Sequence, residues 1–408
     1  MSKKSPQLRF EGFTDDWELR KLSDIVVRLS KSSINNQLPK VEFEDIIAGE
    51  GRLNKDVSHK FDDRKGILFE PSNILYGKLR PYLKNWLFTD FKGIALGDFW
   101  VFKPINSEPK FIYSLIQSDN YQRVANDTSG TKMPRSDWKK VSSSYFSIPL
   151  SIEEQEKIGN LFKQLDNTIT LHQRKLDLFK EQKKGYLQKM FPKNGEKVPE
   201  LRFAGFADDW EERKLIDVKD NEDRYSYTGG PFGSDLKSSD YTEIGVRIIQ
   251  LQNIGDGKFV NDYKIYTSEE KARSLNSNLI YPGEIIIAKM ADPLARATIL
   301  PKIEPKYLMA SDGIRLKINT DYFDNYYILT LINSDVFRKE ALNNSTGTTR
   351  KRIGLVTLGN LPMMIPSFEE QQKIGSLFKQ LDDTIALHQR KLDLLKEQKK
   401  GFLQKMFV

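Results

Sequence analysis

The residues of this sequence that could do chemistry are basic and amide side chains grouped in loops, which suits binding rather than catalysis. The chain contains no cysteine and only three histidines, so thiolate chemistry and most zinc sites are excluded. The sequence also lacks the phosphate-binding loop, the dinucleotide-binding fingerprint, the H-E-x-x-H motif and the G-x-S-x-G motif. No catalytic constellation and no metal site is therefore predicted from the residues.

A basic loop follows a strand-like run at two places. Residues 75–82 read LYGKLRPY, and residues 286–290 read IIAKM. The cations of these loops are Lys78, Arg80 and Lys289, which have the length to reach phosphates or guanine edges. The alternative is that they are ordinary solvated loop charges.

A second basic feature lies shortly before each of two long predicted helices. Residues 128–135 read TSGTKMPR, and residues 345–352 read STGTTRKR. Small hydroxyl residues around a glycine expose backbone N–H groups, and the cations that follow suit a phosphate backbone or a base edge. The candidate residues are Lys132, Arg135, Lys139, Lys140, Arg350, Lys351 and Arg352. An ordinary turn is the alternative.

An amide-rich stretch, predicted as a strand, gives three more candidates. They are Gln250, Gln252 and Asn253, and such amides can pair bidentately with adenine. Surface amides are common, so a purely structural role is the alternative.

Two long helices are predicted to position these loops. Residues 153–191 and 369–407 are nearly identical to each other and contain no proline, so each predicts a helix of about 57 Å at about 1.5 Å per residue. Apolar residues alternate at spacings of four and three, which is typical of a coiled-coil seam. The seam residues are candidates both for helix packing and for partner binding, and they are Ile158, Phe162, Leu165, Ile169, His172, Leu176, Phe179, Ile374, Phe378, Leu381, Ile385, His388, Leu392 and Leu395. Each copy is the simplest partner for the other, and one helix of an ordinary bundle is the alternative. The histidines are interpreted as polar seam residues rather than a catalytic pair.

A second duplication divides the chain into tandem halves. Residues 6–22 and 199–215 repeat a PxLRFxGFxDDWExRKL motif, and residues 192–198 are typical of a linker. The blocks at 23–148 and 216–365 differ strongly from each other although their flanks barely differ. Each block is predicted to be α+β. Strands are expected near 45–47, 74–76, 99–102, 247–251, 284–288 and 313–318, and helices near 113–124 and 323–342.

Composition favours a globular protein with a polyanionic partner. Apolar residues make up 38% of the chain, and the net charge is +8. The absence of an N-terminal apolar region and of any run of 18 apolar residues predicts neither secretion nor a membrane span. A cytoplasmic location is expected.

The order of these features resembles the specificity subunit of type I restriction–modification enzymes, over essentially the whole chain. The supporting residues are the IPxxxEEQ run at 148–155 with its shorter counterpart at 365–371, the loops at 130–135 and 347–352, and residues 231–234. The resemblance implies that each block is a target recognition domain that reads one half of a bipartite, asymmetric site in double-stranded DNA. It also implies two methylation subunits and two motor-nuclease restriction subunits as partners. S-adenosylmethionine, ATP and Mg²⁺ would belong to those partners, and this chain would hold no active site or cofactor.

The expected architecture is α+β, with two recognition domains joined by two antiparallel coiled-coil helices in a pseudo-two-fold arrangement. The expected bounds are 1–148 for the first recognition domain, 149–192 for the first spacer helix, 193–365 for the linker and second recognition domain, and 366–408 for the second spacer helix. Two other functions stay open at this point: a stand-alone nuclease, and a coiled-coil scaffold or DNA-binding protein without a methyltransferase partner.

Overall fold

The chain forms two compact units. The computed structural model describes residues 5–127, 132–193 and 195–407. The first unit is Met1–Lys175 with His388–Val408, and the second unit is Leu176–Leu387. Both boundaries fall inside the two long helices, so each unit contains a part of both. Within the described residues, no helix is both long and apolar enough to cross a lipid bilayer.

The first unit contains twelve strands, four short helices and parts of the two long helices among its described residues. The strands are β1 Glu18–Lys21, β2 Val26–Leu29, β3 Ser32–Ser33, β4 Lys40–Val41, β5 Ile46–Ile47, β6 Arg52–Leu53, β7 Gly66–Phe69, β8 Ile74–Gly77, β9 Trp86–Phe88, β10 Gly93–Ala95, β11 Phe99–Pro104 and β12 Tyr145–Ile148. The helices are α1 Leu22–Ile25, α2 Pro109–Leu115, α3 Asp119–Ala125, α4 Trp138–Ser143 and the beginning of α5 Ile152–Lys189, with 3-10 turns at Phe43–Asp45 and Pro81–Leu83.

The second unit follows the same plan. Its strands are β13 Glu211–Lys214, β14 Tyr227–Gly229, β15 Tyr241–Thr242, β16 Val246–Ile249, β17 Ile265–Thr267, β18 Leu279–Ile280, β19 Ile285–Ala288, β20 Ala297–Ile299, β21 Tyr307–Met309, β22 Gly313–Leu316 and β23 Pro362–Ile365. Its helices are α6 Glu269–Ser274, α7 Asn325–Ile332, α8 Asp335–Asn343, α9 Leu355–Gly359 and the beginning of α10 Phe368–Met406, with 3-10 turns at Leu215–Val218, Ser238–Asp240, Leu251–Asn253 and Asn276–Asn278.

The two variable blocks share the strand order of one antiparallel sheet although their sequences differ. The first unit has an antiparallel sheet in the order β2-β11-β8-β9, and the second unit has β14-β22-β19-β20. Each unit adds a second sheet with one parallel pair, β4 with β10 in the first and β16 with β21 in the second. The α+β class predicted from the sequence is confirmed for both units.

The two expected medium-length helices are each broken in two. The prediction near 113–124 was wrong in its continuity, since α2 ends at Leu115 and α3 begins at Asp119. The prediction near 323–342 was wrong in the same way, because α7 and α8 are separate. In both cases a serine caps the following helix: Ser118 accepts a hydrogen bond from Tyr121 N–H, and Ser334 accepts one from Phe337 N–H.

The duplicated PxLRF motif anchors the beginning of each long helix. In the first unit, Arg9 donates two hydrogen bonds, of 2.6 and 2.8 Å, to the buried carboxylate of Glu154. In the second unit, Arg202 binds the buried Glu370 in the same bidentate way, with both bonds 2.8 Å long. A buried carboxylate needs such a partner, which explains why motif and helix are duplicated together.

The glutamine that follows each of these glutamates docks the helix onto its block. Gln155 accepts a hydrogen bond from Glu108 N–H at 2.9 Å, and Gln371 accepts one from Asp324 N–H at 3.0 Å. Glu108 and Asp324 are themselves the N-caps of α2 and α7. The long helix is therefore joined at its N-terminal end to the N-terminal end of α2 in the first unit and of α7 in the second.

The predicted seam residues of the two helices lie inward. All fourteen are buried or partly buried, with Ile158, Phe162, Leu176, Ile374, Phe378 and Leu392 at most 2% exposed. In the first unit, Lys399 of α10 forms a 2.6 Å ion pair with Asp166 of α5, and His388 lies against His172. The two helix segments of this unit therefore run antiparallel. In the second unit, Lys183 forms the equivalent 2.5 Å pair with Asp382.

Candidate nucleic-acid interface

A lysine, an aspartate and an arginine meet at the end of the antiparallel sheet in the first unit. Lys78 follows β8, and its N–H donates to the carbonyl of Asp98, which precedes the neighbouring strand β11, at 2.9 Å. The Asp98 carboxylate lies 3.6 Å from Lys78 Nζ and 3.0 Å from Arg135 Nη2. Ser136 N–H donates to the Lys78 carbonyl at 2.8 Å, which ties the arginine-bearing loop to the strand end.

The second unit contains the same arrangement at the equivalent strands. Lys289 follows β19, and its N–H donates to the carbonyl of Asp312, which precedes β22, at 2.8 Å. Arg352 Nη2 lies 2.6 Å from the Asp312 carboxylate, and Ile353 N–H donates to the Lys289 carbonyl at 3.0 Å. The structure thus brings the predicted residues Lys78 and Arg135 together in one cluster, and Lys289 and Arg352 in another.

The electrostatics of the second cluster show like charges held close to each other. Burial lowers the pKa of the Lys289 ammonium, and the nearby Arg352 guanidinium lowers it further, whereas Asp312 opposes the shift. Two cations around one carboxylate leave an excess of positive charge, which an anion in contact with both would relieve.

The other predicted cations of the first unit are Arg80, Lys132, Lys139 and Lys140, and of these Arg80 is tied to the loop that carries Arg135. Arg80 has a left-handed backbone, with φ of +48°, and donates its N–H to the Pro134 carbonyl at 2.7 Å. Lys132 and Lys139 are exposed, and Lys140 is exposed but forms an ion pair with Asp127. The hydroxyl and glycine residues predicted at 128–131 lie outside the described residues.

Arg350 and Lys351 are exposed and line a cleft in the second unit. The cleft has a volume of about 740 Å³, and its lining also includes Met290, Asp292 and Pro293. Gly347 turns the loop with φ of +89°, and an added Cβ there would come within 2.6 Å of the Arg350 carbonyl oxygen. The loop that follows Thr346 therefore requires this glycine.

The amide-rich stretch is not a strand, and one of its amides is structural. Strand β16 ends at Ile249, and Leu251–Asn253 is a 3-10 turn. Asn253 is 1% exposed; it accepts from Gln250 N–H and donates to the carbonyls of Val260 and Tyr263. The Asn253 amide makes three hydrogen bonds inside the fold and is not available to a base. Gln252 is exposed and Gln250 partly exposed, joined by a 3.0 Å hydrogen bond.

Sequence reasoning missed the aspartates of both clusters. Asp98 and Asp312 look like ordinary turn residues beside Gly97 and Gly313. The available signal was that each aspartate immediately precedes one predicted strand, while a lysine immediately follows another.

The seam residues had been expected to serve both helix packing and partner binding. Their burial assigns them to helix packing, so a partner would have to contact other side chains. Four leucines of the long helices are more than half exposed: Leu171, Leu178, Leu387 and Leu394. They occupy matching positions in the two repeats.

The two seam histidines touch each other within the first unit. The Nδ1 atoms of His172 and His388 are 2.9 Å apart. Burial lowers the pKa of His172, and the charges of Lys391, His388 and Lys175 lower it further. One imidazole can donate to the other while both are neutral, which fits a polar contact that fixes the register of the helices.

Each block has a basic cluster at the end of a sheet with the same strand order, which is typical of a binding protein with two similar surfaces. Residues 14–180 and 208–397 match the family model described as Type I restriction modification DNA specificity domain. These residues make up most of the chain, and the protein belongs to this family.

The curated relatives and solved structures are consistent with that assignment. The Type I restriction enzyme MjaVIII specificity subunit of Methanocaldococcus jannaschii is 24% identical over 71% of this chain and 67% of its own length. A putative MjaX specificity subunit of the same organism is 22% identical over 72% and 66%. The S subunit of a type I system from M. genitalium superposes with a TM-score of 0.65, at 14% identity over 99% of both chains. A chain from a structure on assembly and conformational transition of the type I R-M system gives 0.51, at 18% identity over 95% of this chain and 96% of that one.

Proposed function

We propose that this chain reads a bipartite, asymmetric DNA target as the specificity subunit of a type I restriction–modification complex. The observation that carries the proposal is that two blocks with the same sheet order bear loops of different sequence. Two blocks that share this strand order can contact DNA in the same orientation, while their different loops contact different bases. A target with two unlike halves follows.

The proposed interface consists of the cations around the two strand-end clusters and the two accessible glutamines. These residues are Lys78, Arg80, Lys132, Arg135, Lys139, Lys140, Gln250, Gln252, Lys289, Arg350, Lys351 and Arg352. Their charge agrees in sign with the +8 net charge of the chain. Neutralising several phosphates makes the logarithm of the affinity fall linearly with the logarithm of the salt concentration, so steep salt dependence is expected.

The functional division follows the duplication. Residues 1–148 and 193–365 would be the two recognition domains, the latter including the linker, and residues 149–192 and 366–408 would be the spacer helices. The two helices would pair as an antiparallel coiled coil and set the separation between the half-sites. The inward seam and the ion pairs Lys399–Asp166 and Lys183–Asp382 support this role.

Each kind of partner subunit would bind at two equivalent places, because the long helices are duplicated. Two methylation subunits and two restriction subunits are proposed, and the exposed leucines at matching helix positions offer each methylation subunit an equivalent apolar contact. S-adenosylmethionine, ATP and Mg²⁺ would act in those subunits, and this chain would contribute recognition but no catalysis.

Methylome sequencing tests the proposal directly. A restriction-free host would express this chain with the methylation subunit of its own system, and a matched host would express the methylation subunit alone. N6-methyladenine in a single two-part, non-palindromic motif, found only in the first host, is the expected result. Methylation that is independent of this chain, or binding of DNA without salt dependence, would contradict it; metal-dependent cleavage by the chain alone would identify a nuclease instead.

A further inference from the structure

The two Lys–Asp–Arg clusters recur where the blocks otherwise differ. In each unit the lysine follows one strand, the aspartate precedes its antiparallel neighbour, and the arginine lies on a loop that bridges to the residue after the lysine: Arg135 pairs with Leu79, and Arg352 with Met290. The same three residue types therefore occupy equivalent places in two blocks of different sequence.

The recurrence of the cluster in both blocks helps to distinguish contacts with bases from contacts with the sugar–phosphate backbone. The base sequences of two unlike half-sites differ, so residues that read bases should differ between the blocks. The sugar–phosphate backbone is the feature that both half-sites share, and contacts to it position a protein without carrying sequence information. A cluster present in both blocks is therefore suited to the backbone.

The geometry of the clusters fits a phosphate. Arg135 and Arg352 reach the aspartates, yet their side chains remain 56% and 52% exposed. Each aspartate cancels one of the two positive charges beside it, and the other is left for an outside anion. The pKa of Lys289 is lowered first by burial and then by repulsion from the Arg352 guanidinium. A phosphate bound between the two cations would reduce their repulsion.

We propose that Lys78–Asp98–Arg135 and Lys289–Asp312–Arg352 are equivalent phosphate clamps, one for each half-site. The two cations of each cluster bind a backbone phosphate oxygen. Asp98 and Asp312 are positioning residues that hold the cations and do not touch DNA. The inference rests on the proposed function, because it specifies how the same surface grips its DNA.

The test uses the full chain co-expressed with the methylation subunits of its own system. Duplexes are selected from a random library to define the target, and affinities for target and unrelated duplexes are measured over a salt series. The double variant Lys78→Ala, Arg135→Ala should bind every duplex roughly tenfold more weakly, with the salt slope smaller by about 1 to 2 and the selected motif unchanged. A changed base preference would overturn the clamp, because the pair would then read bases.

Asp98→Asn tests the positioning role through the sign of its effect. The variant makes the chain more positive, so simple Coulomb attraction predicts tighter binding, whereas loss of positioning predicts weaker binding. We expect weaker binding, with recovery in Asp98→Glu. Asp90→Asn is the matched control, since Asp90 is exposed and forms no ion pair with any residue that the structure describes; this variant should bind equally well or slightly more tightly. Tighter binding by Asp98→Asn would refute the positioning role.

The second cluster allows an independent test of the same proposal. Asp312→Asn and the pair Lys289→Ala, Arg352→Ala should weaken binding in the same way, and circular dichroism melts identify any variant that fails to fold. If the unaltered complex selects no bipartite motif, the proposed function fails. If it selects one and variants of both clusters bind like the unaltered complex, the clamp alone is wrong.

Discussion

Gly159 and Gly375 lie inside long helices, where glycine normally lowers stability, and the structure gives the reason. An added Cβ at Gly375 would lie 2.1 Å from Asp324 Oδ1, the cap of α7, and one at Gly159 would lie 2.6 Å from Glu108 Oε2. Gly185 and Gly401 have nothing within 4 Å. Gly159 and Gly375 therefore allow the end of another helix to approach closely. No neighbouring atom requires a glycine at the other two positions.

Alanine substitutions at two of these glycines should have opposite effects. Gly375→Ala should destabilise the chain, because the cap of α7 must move. Gly401→Ala should stabilise it by up to about 1 kcal/mol, because alanine favours the helix. Urea unfolding followed by circular dichroism measures both. Equal stabilisation by the two variants would show that the approach of α7 to α10 is not tight.

The arginine of the duplicated motif gives a second prediction. Arg202→Ala leaves the buried Glu370 without its bidentate partner, and breaking a buried ion pair costs about 3–5 kcal/mol. Arg213, which pairs with Glu211 on the surface at 51% and 69% exposure, is the matched control. Arg213→Ala should cost less than about 1 kcal/mol by the same unfolding measurement. A similar loss in both variants would contradict the anchoring role of Arg202.

The candidate site could be predicted only in part, for a reason that lies in single side chains. Cations such as Lys78 and Arg352 stand out because their charge and reach suggest a polyanion. The aspartates that hold them do not, since the pairing of β8 with β11 and of β19 with β22 joins residues distant in sequence. The Asn253 amide closes a turn, a role that Asp45 performs in the first unit by accepting from Glu42 N–H, and its residue type alone does not reveal that role.

At the scale of elements, the long helices were predictable and the helices within the blocks were not. The 3.5-residue period of the seam continues over the whole length of α5 and α10, so their bounds follow closely from the sequence. The shorter helices were predicted as continuous because apolar spacing persists across Ser118 and Ser334. A serine followed by aspartate at both breaks was the capping signal that could have shown the interruption.

The histidine pair makes the first unit sensitive to acid. Because the pKa of His172 is lowered in the folded chain, the unfolded chain binds more protons just below the ordinary histidine pKa of about 6.5. Stability contributed by neutral His172 is therefore present above about pH 6.5 and is lost as the pH falls through its lowered folded-state pKa. The positive charges of Lys175 and Lys391 lower the pKa of His172 in the same direction as burial does.

The double variant His172→Asn, His388→Asn should remove this part of the acid sensitivity. The difference in Tm between the unaltered chain and the variant, measured from pH 8 to pH 5, should shrink or change sign as the pH falls. His59→Asn, which alters a histidine outside both helices, should leave the profile unchanged. A constant difference across the range would show that a lowered pKa of His172 does not contribute to the acid sensitivity.

At the scale of the whole molecule, duplication was visible in the sequence and topology was not. The repeated flanks at 6–22 and 199–215 reveal two halves directly. The shared order of β2-β11-β8-β9 and β14-β22-β19-β20 depends on pairings between distant residues whose local sequences differ between the blocks. Such pairings leave no repeated pattern, so the similarity of the blocks appears only in three dimensions.

The proposed spacer role predicts how the target changes when the helices are lengthened. Seven residues inserted at matching points, within 169–176 and within 385–392, would preserve the seam, because its pattern repeats every seven residues. The added rise is about 10 Å at 1.5 Å per residue, which corresponds to about three base pairs at 3.4 Å each. Methylome sequencing should show the same two half-site sequences separated by a gap longer by about that amount.

Two-residue insertions at the same points are the control, since at about 100° per residue they turn the following part of the seam to the opposite face of the helix. They should abolish methylation or destabilise the chain instead of producing a defined new gap. An unaltered gap after the seven-residue insertions would mean that something other than the helices sets the half-site separation. Altered half-site bases with an unaltered gap would instead place base reading in the helices, against the assignment of recognition to the two blocks.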